Sequence, residues 1–146
     1  MKTVLFFIFL IFCLKASQSL YQGSAFVREL KSSQLSLIRQ GIWIVNFYNP
    51  KSQVSQHFAP EFIKTAKLLK HIAKFAAIDV SSQITDTAIK SCPLVRLYAD
   101  GKAINYEKRL RAADIATFVY ITLPQVFLPQ SIDNQPSSSK CRSYQL

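Results

Sequence analysis

Residues 43–62 read WIVNFYNPKSQVSQHFAPEF, and two contrasting patterns meet in this stretch. Ile42–Tyr48 is rich in β-branched and aromatic residues, a composition typical of a buried central strand. Over Val54–Ile72 the apolar residues recur at helical spacing. Pro60 lies inside this second run and is expected to kink it, because proline removes a helix hydrogen bond. The stretch therefore predicts a buried strand that leads directly into a helix.

The flanking sequence continues this alternation of strands and helices. Asp100-Gly101 separates two apolar runs and predicts a hairpin, since both residues tolerate positive backbone angles. Ser33 is the expected cap of a helix that ends at Arg39. The other predicted elements are strands over Phe26–Leu30, Lys74–Val80, Leu94–Tyr98 and Ala103–Tyr106, and helices over Ile84–Lys90 and Ala112–Leu123. Parallel strands linked by helices, with an antiparallel pair, predict an α/β fold: a central mixed sheet with helices on both faces.

The N-terminus has the pattern of a secretory signal peptide over residues 1–19. A positive Lys2 precedes an apolar run that Lys15 closes, and small residues follow. Cleavage is expected after Ser19, with Ala16 as the second choice. A membrane-spanning helix needs about 20 apolar residues, so this run is too short for an anchor, and no membrane span is expected after cleavage.

The C-terminus changes composition at Pro124, beyond which Pro, Gln and Ser dominate. We therefore predict one domain over residues 20–123 and a disordered tail over residues 124–146. The final Ser143–Leu146 is not a K-D-E-L type retrieval signal. The expected location is the lumen of the endoplasmic reticulum or the exterior of the cell.

Composition narrows the function classes further. A hydrophobic content of 49% with 18% charged residues is typical of a globular domain, not of a disordered chain. The net charge of +10 comes from basic residues spread along the chain without a dense block, so nucleic-acid binding is not expected. Three cysteines, one of them in the signal segment, do not form a disulfide scaffold. The His and Cys residues lack zinc-ligand spacing, and neither a metal nor a cofactor is expected.

The opening stretch resembles the active-site segment of the protein disulfide isomerase family, whose usual pattern is F-Y-A-P-W-C-G-H-C-K-x-L-A-P-E-F. The positions that match here are Phe47, Tyr48, Pro50, Ala59, Pro60, Glu61 and Phe62. Pro93 falls where that family has a proline preceded by a cis peptide bond, and Asp100-Gly101 falls on its N-G turn. The resemblance extends from Phe26 to Val119 and implies a thioredoxin fold.

Ser52 and Ser55 fall on the two positions at which that family carries reactive cysteines. A serine hydroxyl stays protonated at neutral pH and forms no equivalent of a disulfide, so thiol–disulfide exchange through this pair is excluded. Supporting positions differ too: Lys51 replaces the family's Trp, Val54 replaces its His, and Asn46 replaces a buried acid that moves protons. The resemblance therefore implies a redox-inactive member without catalytic residues at this site.

Ser52 could instead be a nucleophile of another kind. Serine catalysis needs a base such as histidine, and His57 is the residue of that type in the same region. No G-x-S-x-G turn surrounds the serine. We favour the alternative that Ser52 caps the following helix through its side-chain oxygen and that His57 is a surface residue.

Cys92 precedes the expected cis proline, Pro93, and the resemblance implies that this loop faces the former active site. Three interpretations stay open. The thiol is small, half-buried and unreactive, it forms a disulfide with Cys141, or it captures a client thiol. The last would give weak thiol–disulfide isomerase or trapping activity.

The leading hypothesis is a chaperone-like protein that binds an unfolded polypeptide or a specific lumenal partner without covalent chemistry. The expected contact residues are Lys51, Ser52, Gln53, Val54, Cys92, Pro93 and Leu94. An extended peptide would pair with the backbone beside Pro93, as an added strand does. A non-catalytic scaffold subunit or a secreted effector is the alternative from another class.

Overall fold

The computed structural model of the chain describes residues 19–82, 89 and 91–128. The strands are β1 (Val27–Glu29), β2 (Trp43–Tyr48), β3 (Lys74–Asp79), β4 (Leu94–Ala99) and β5 (Lys102–Tyr106). The helices are a 3₁₀ helix (Ser32–Arg39), α1 (Gln53–Leu68) and α2 (Ala112–Phe127). The predicted signal peptide, the predicted helix over Ile84–Lys90 except Ile89, and the tail beyond Leu128 lie outside the described residues.

The five strands form one mixed sheet in the order β1-β3-β2-β4-β5. β3 runs parallel to both β1 and β2, whereas β4 runs antiparallel to β2 and to β5. Each residue of β2 is buried, as expected for the central strand of a sheet covered on both faces. The predicted α/β architecture with a mixed sheet is therefore confirmed.

Two hydrophobic clusters lie on opposite faces of this sheet. The larger cluster packs α1 and α2 against one face around Phe62, whose ring centroid lies 5.5 Å from that of Phe75 and 5.8 Å from that of Tyr21. The smaller cluster places Ile38 of the 3₁₀ helix against the other face, beside Phe47. Alternation along β2 explains the division, since successive side chains point to opposite faces.

The hairpin between β4 and β5 turns at Asp100 and Gly101, as predicted. Both residues have positive φ, 49° and 71°, and Ala99 pairs with Lys102 across the turn. A two-residue loop with this backbone matches the right-handed twist of the strands it joins.

The first helical segment differs from its prediction. It is a 3₁₀ helix that begins after Lys31, not an α-helix capped by Ser33. The Lys31 N–H donates to Gln34 Oε1 at 3.1 Å, and the Gln34 N–H donates to the Lys31 carbonyl at 2.8 Å. This reciprocal pair satisfies the groups at the helix start and leaves no need for a serine cap.

The two α-helices end at different residues from those predicted. α1 stops at Leu68, before Ile72, and the N–H groups of Ile72 and Ala73 turn back to the Leu69 carbonyl at 2.9 and 3.1 Å. α2 continues through Pro124 to Phe127, so the first residues of the predicted tail are helical. Proline has a helical φ and removes only one hydrogen bond near this end, and buried Val126 anchors the last turn.

Neither α1 nor α2 combines the length and the apolar character that a bilayer span requires, and the same holds for the rest of the described chain.

Candidate functional site

The site expected from the sequence lies at one end of the central strands of the sheet, where β2 ends and β4 begins. Phe47 pairs with Leu94 across these antiparallel strands, and Tyr48 pairs with Asp79 at the end of β3. The segment that enters α1 follows Tyr48 directly, and the Cys92–Pro93 bond precedes Leu94. The register thus brings the start of α1 and the loop before β4, the two predicted halves of the site, to the same end of the sheet.

A tight turn orients the start of α1. The Ser52 N–H donates to the Asn49 carbonyl at 3.0 Å, and the Lys51 N–H donates to Asn49 Oδ1 at 2.9 Å. Gln56 reaches back from the helix, its Nε2 donating to the Pro50 carbonyl at 2.8 Å. These bonds hold the turn against the helix and leave the side chain of Lys51 exposed.

The two serines occupy different environments. Ser52 is half-buried at the N-cap position, and its carbonyl accepts the Gln56 N–H at 3.0 Å. The predicted side-chain cap is wrong, because the Ser52 hydroxyl makes no capping bond, and the helix entry is held instead by Asn49 and Gln56. Ser55 is fully buried, and its Oγ accepts the Asn49 N–H at 3.3 Å. Only the first serine is accessible to a bound molecule.

The helix presents other residues of the predicted site to solvent. Gln53 is exposed, and Val54 is 56% exposed, a high value for an aliphatic side chain. His57 is also exposed, and within the described residues no hydrogen bond joins it to Ser52. The arrangement therefore lacks the nucleophile–base contact that serine catalysis requires.

Asn46 lies in the core on the face of β2 that packs against α1. It is fully buried, and its Nδ2 donates to the Tyr21 hydroxyl at 2.6 Å. Its Oδ1 has no hydrogen-bond partner among the described residues. Burial raises the pKa of Tyr21, so that phenol stays neutral and the pair carries no charge at neutral pH.

Sequence reasoning missed a packed pair of tyrosines, one of which accepts the hydrogen bond from this amide. The rings of Tyr21 and Tyr48 pack edge to face at 5.1 Å, and the Tyr48 hydroxyl donates to Glu29 Oε1 at 2.9 Å. Burial, with the neighbouring carboxylate, raises the pKa of Tyr48 to about 12. The sequence offers one signal: Ile44, Asn46 and Tyr48 alternate along one strand and so share a face. This places the Asn46 amide on a face that is otherwise apolar and buried.

The second half of the site is the loop before β4. The Cys92–Pro93 peptide bond is cis, as the resemblance implies. Burial, and then the negative charge of Asp79, raise the pKa of the half-buried Cys92 thiol above its ordinary value of 9.0. This thiol is therefore protonated at neutral pH and weakly nucleophilic. Cys141 lies outside the described residues, so a disulfide between the two stays a prediction.

No cluster of His, Cys, Asp and Glu with the composition of a metal site occurs in the described ranges.

Comparisons with known proteins agree with this architecture. A sequence model of the family described as Thioredoxin matches residues 21–120. Among curated proteins of Arabidopsis thaliana, Protein disulfide-isomerase 2-3 is 34% identical over 111 residues, covering 71% of this chain and 25% of that protein. Protein disulfide-isomerase like 2-2 is 29% identical over 129 residues, covering 84% of this chain and 29% of that protein. The chain thus spans between a quarter and a third of the length of these relatives.

A solved structure shows the same fold. The J-Trx1 fragment of ERdj5 superposes with a TM-score of 0.65 at 18% sequence identity, over 72% of this chain and 55% of that one. The predicted thioredoxin fold is therefore confirmed.

Proposed function

The chain belongs to the thioredoxin family, and from that premise we propose that it binds extended polypeptide in the secretory pathway without exchanging disulfides. The observation that carries the proposal is the pair of serines, Ser52 and Ser55, at the start of α1. Two relatives are named protein disulfide-isomerases, which supports an endoplasmic-reticulum or secretory setting. The match spans only part of their length, so their activity is not transferred to this chain.

The absence of redox chemistry follows from what exchange requires. A thiolate must attack a disulfide sulfur and form a mixed disulfide, and a serine oxygen can do neither. Ser55 is in addition fully buried, so it is removed from any bound molecule. The start of α1 thus retains the shape of an oxidoreductase site and lacks the atoms that react.

Binding is supported by the side chains and main-chain groups that are exposed at the candidate site. Val54 offers an apolar contact to a bound polypeptide. Lys51 offers it a positive charge, and Gln53 offers it an amide. The backbone of Cys92–Leu94, at the start of β4, offers main-chain groups at the same end of the sheet. Such a combination suits a peptide in extended conformation, because main-chain bonds give affinity without strict sequence preference.

Thiol trapping by Cys92 has less support. Its raised pKa leaves little thiolate at neutral pH, and the thiol is only half-exposed. A Cys92→Ser variant separates the two functions, because non-covalent binding persists in it whereas trapping is abolished.

The redox half of the proposal is tested by restoring the cysteines. We expect the wild type to be inactive in insulin reduction with dithiothreitol, and Ser52→Cys/Ser55→Cys to gain activity, because the turn and helix that position the pair are present. Activity in the wild type would contradict the proposal, and Cys92→Ser would then identify its source.

The binding half is tested with a permanently unfolded, carboxymethylated client carrying a fluorescent label. We expect Val54→Asp to weaken the binding measured by anisotropy. Leu68→Asp is the matched control, since Leu68 lies at the far end of the same helix and is 59% exposed. An equal loss in both variants, or no binding by the wild type, would refute a defined site.

A further inference from the structure

A second groove, of about 870 Å³, lies along the edge of the sheet that β1 forms. Trp43 and Lys74, which line it, are the first residues of β2 and β3. The groove therefore lies at the opposite end of these strands from Ser52. We call it the edge groove, and the lining residues used below are Phe26, Arg28, Leu37, Trp43, Lys70 and Lys74.

The backbone of β1 offers this groove main-chain groups that no other described strand pairs, although the Val27 N–H already donates to Ser24 Oγ at 3.2 Å. In the described chain β1 pairs with β3 alone, and the Leu30 N–H donates to the Ala77 carbonyl of β3 at 2.9 Å. Main-chain groups alternate in direction along a strand, so those of Arg28 face β3 and those of Glu29 face away. The outer edge can therefore accept another strand.

The charge of the edge groove has one sign. Arg28, Lys70 and Lys74 line it, and no carboxylate of the described residues does. Among the residues that the structure describes, none of the three cations is paired with an acid; the Lys74 Nζ lies 5.4 Å from the centre of the Trp43 ring. The neighbouring acid, Glu29, accepts the hydrogen bond from the Tyr48 hydroxyl. Three cations without acidic partners favour a negatively charged ligand.

Apolar side chains accompany these cations. Phe26 is 37% exposed and Leu37 is 41% exposed, and both line the edge groove beside β1. A strand added there would direct alternate side chains to opposite faces. Acidic and apolar residues of such a strand would then lie within reach of the cations and of these two side chains.

We propose that the edge groove binds an acidic, extended segment of another protein, added to β1 as a sixth strand. A second copy of this chain does not fit, because its net charge is +10 and its own groove is basic. The chain's C-terminal residues 129–146 do not fit either, since they contain one acid, Asp133, against Lys140 and Arg142. Residues 1–18 contain no acid at all.

The test uses the full chain and a short labelled peptide that alternates glutamate with valine. Binding is followed by peptide anisotropy and by the fluorescence of Trp43, the single tryptophan. We expect saturable binding that weakens with salt, and weaker binding of a peptide with the same residues in two blocks. Two peptides N-methylated at alternate positions distinguish strand addition: one loses affinity, and the other retains it.

The residues are tested with Arg28→Gln/Lys70→Gln/Lys74→Gln. We expect about a tenfold loss of affinity at low salt, which is about 1.4 kcal/mol. The matched control, K102Q/K108Q/R109Q, removes the same charge in and after β5, the strand at the opposite edge of the sheet from β1. We expect this control to lose no more than about twofold in affinity, because exposed ion pairs are weak. Equal losses in the two variants would overturn the proposal, as would retention of binding by both methylated peptides. A dimer in sedimentation that the variant Arg28→Gln/Lys70→Gln/Lys74→Gln does not form would also overturn it.

Discussion

Replacing Asn46 with aspartate introduces an ionisable group into the core between β2 and α1. The amide is fully buried, and among the described residues its side chain makes one hydrogen bond, which Nδ2 donates to the Tyr21 hydroxyl. A carboxyl group has nearly the same shape, and the Tyr21 hydroxyl can turn to donate to it. The neutral acid should therefore be tolerated, whereas the ionised form must lose its hydration.

The cost of that ionisation can be worked from the contacts. Full burial shifts a carboxyl pKa upward by an amount equivalent to about 4 to 7 kcal/mol. One hydrogen bond from Tyr21 to the charged form recovers about 2 kcal/mol. We expect Asn46→Asp to lose about 3 kcal/mol of unfolding free energy at pH 8. Because the pKa is raised in the folded state, the loss is absent below the ordinary aspartate pKa of about 3.9 and grows as the pH rises above it.

The assay is urea unfolding followed by the fluorescence of Trp43 at pH 4, 6 and 8. Asn105→Asp is the matched control, since Asn105 is exposed and its Oδ1 already accepts from Arg96 Nε at 2.7 Å. The control should lose no stability at pH 8. A loss for Asn46→Asp that is equal at pH 4 and pH 8 would mean that packing is responsible, and no loss at pH 8 would mean that the site is hydrated. Either result refutes the argument from a dry, buried charge.

Three further predictions follow from burial. Tyr48, with its pKa raised from 10.0 to about 12, contributes stability that is complete below pH 10 and is lost as the pH rises toward 12, so Tyr48→Phe should show a shallower alkaline loss in urea unfolding. The Cys92 thiol should react with iodoacetamide at pH 7 more slowly than free cysteine, and Asp79→Asn should accelerate it because a negative charge is removed; an unchanged rate would contradict this electrostatic effect. Phe62→Ala should lose about 4 kcal/mol, whereas Phe127→Ala, at a 53% exposed position, should lose under about 1 kcal/mol, as measured by the unfolding midpoint.

Local patterns in the sequence were sufficient to predict most of the sheet. β2 was visible because it is rich in β-branched and aromatic residues, and the β4–β5 hairpin because Asp-Gly has a specific backbone requirement. The end of α2 was missed because Pro124 is a local stop signal, whereas the burial of Val126 that overrides it depends on tertiary packing. Propensity carries no information on such packing.

The site was predictable in position and less so in detail. The resemblance placed Ser52 and Ser55 at the start of α1 and Pro93 before β4, and the structure brings these elements to one end of the sheet. It gave no indication that one serine is buried and the other accessible. The contact between Asn46 and Tyr21 joins residues 25 positions apart, and no periodicity reports a pair at that separation. The Asn46 oxygen, which has no partner in the part of the chain that the structure describes, could be recognised only in three dimensions.

The order of the strands constrains the order in which the sheet assembles. β1 and β2 are the first two strands to be synthesised, yet they are not neighbours, because β3 lies between them. Pairing β1 with β3 closes a loop that contains the whole of β2 and α1, which carries an entropic cost. A nascent chain that ends before Lys74 therefore contains two strands without a partner. The N-terminal half of the domain enters the sheet only when a later segment of the chain arrives to hold it.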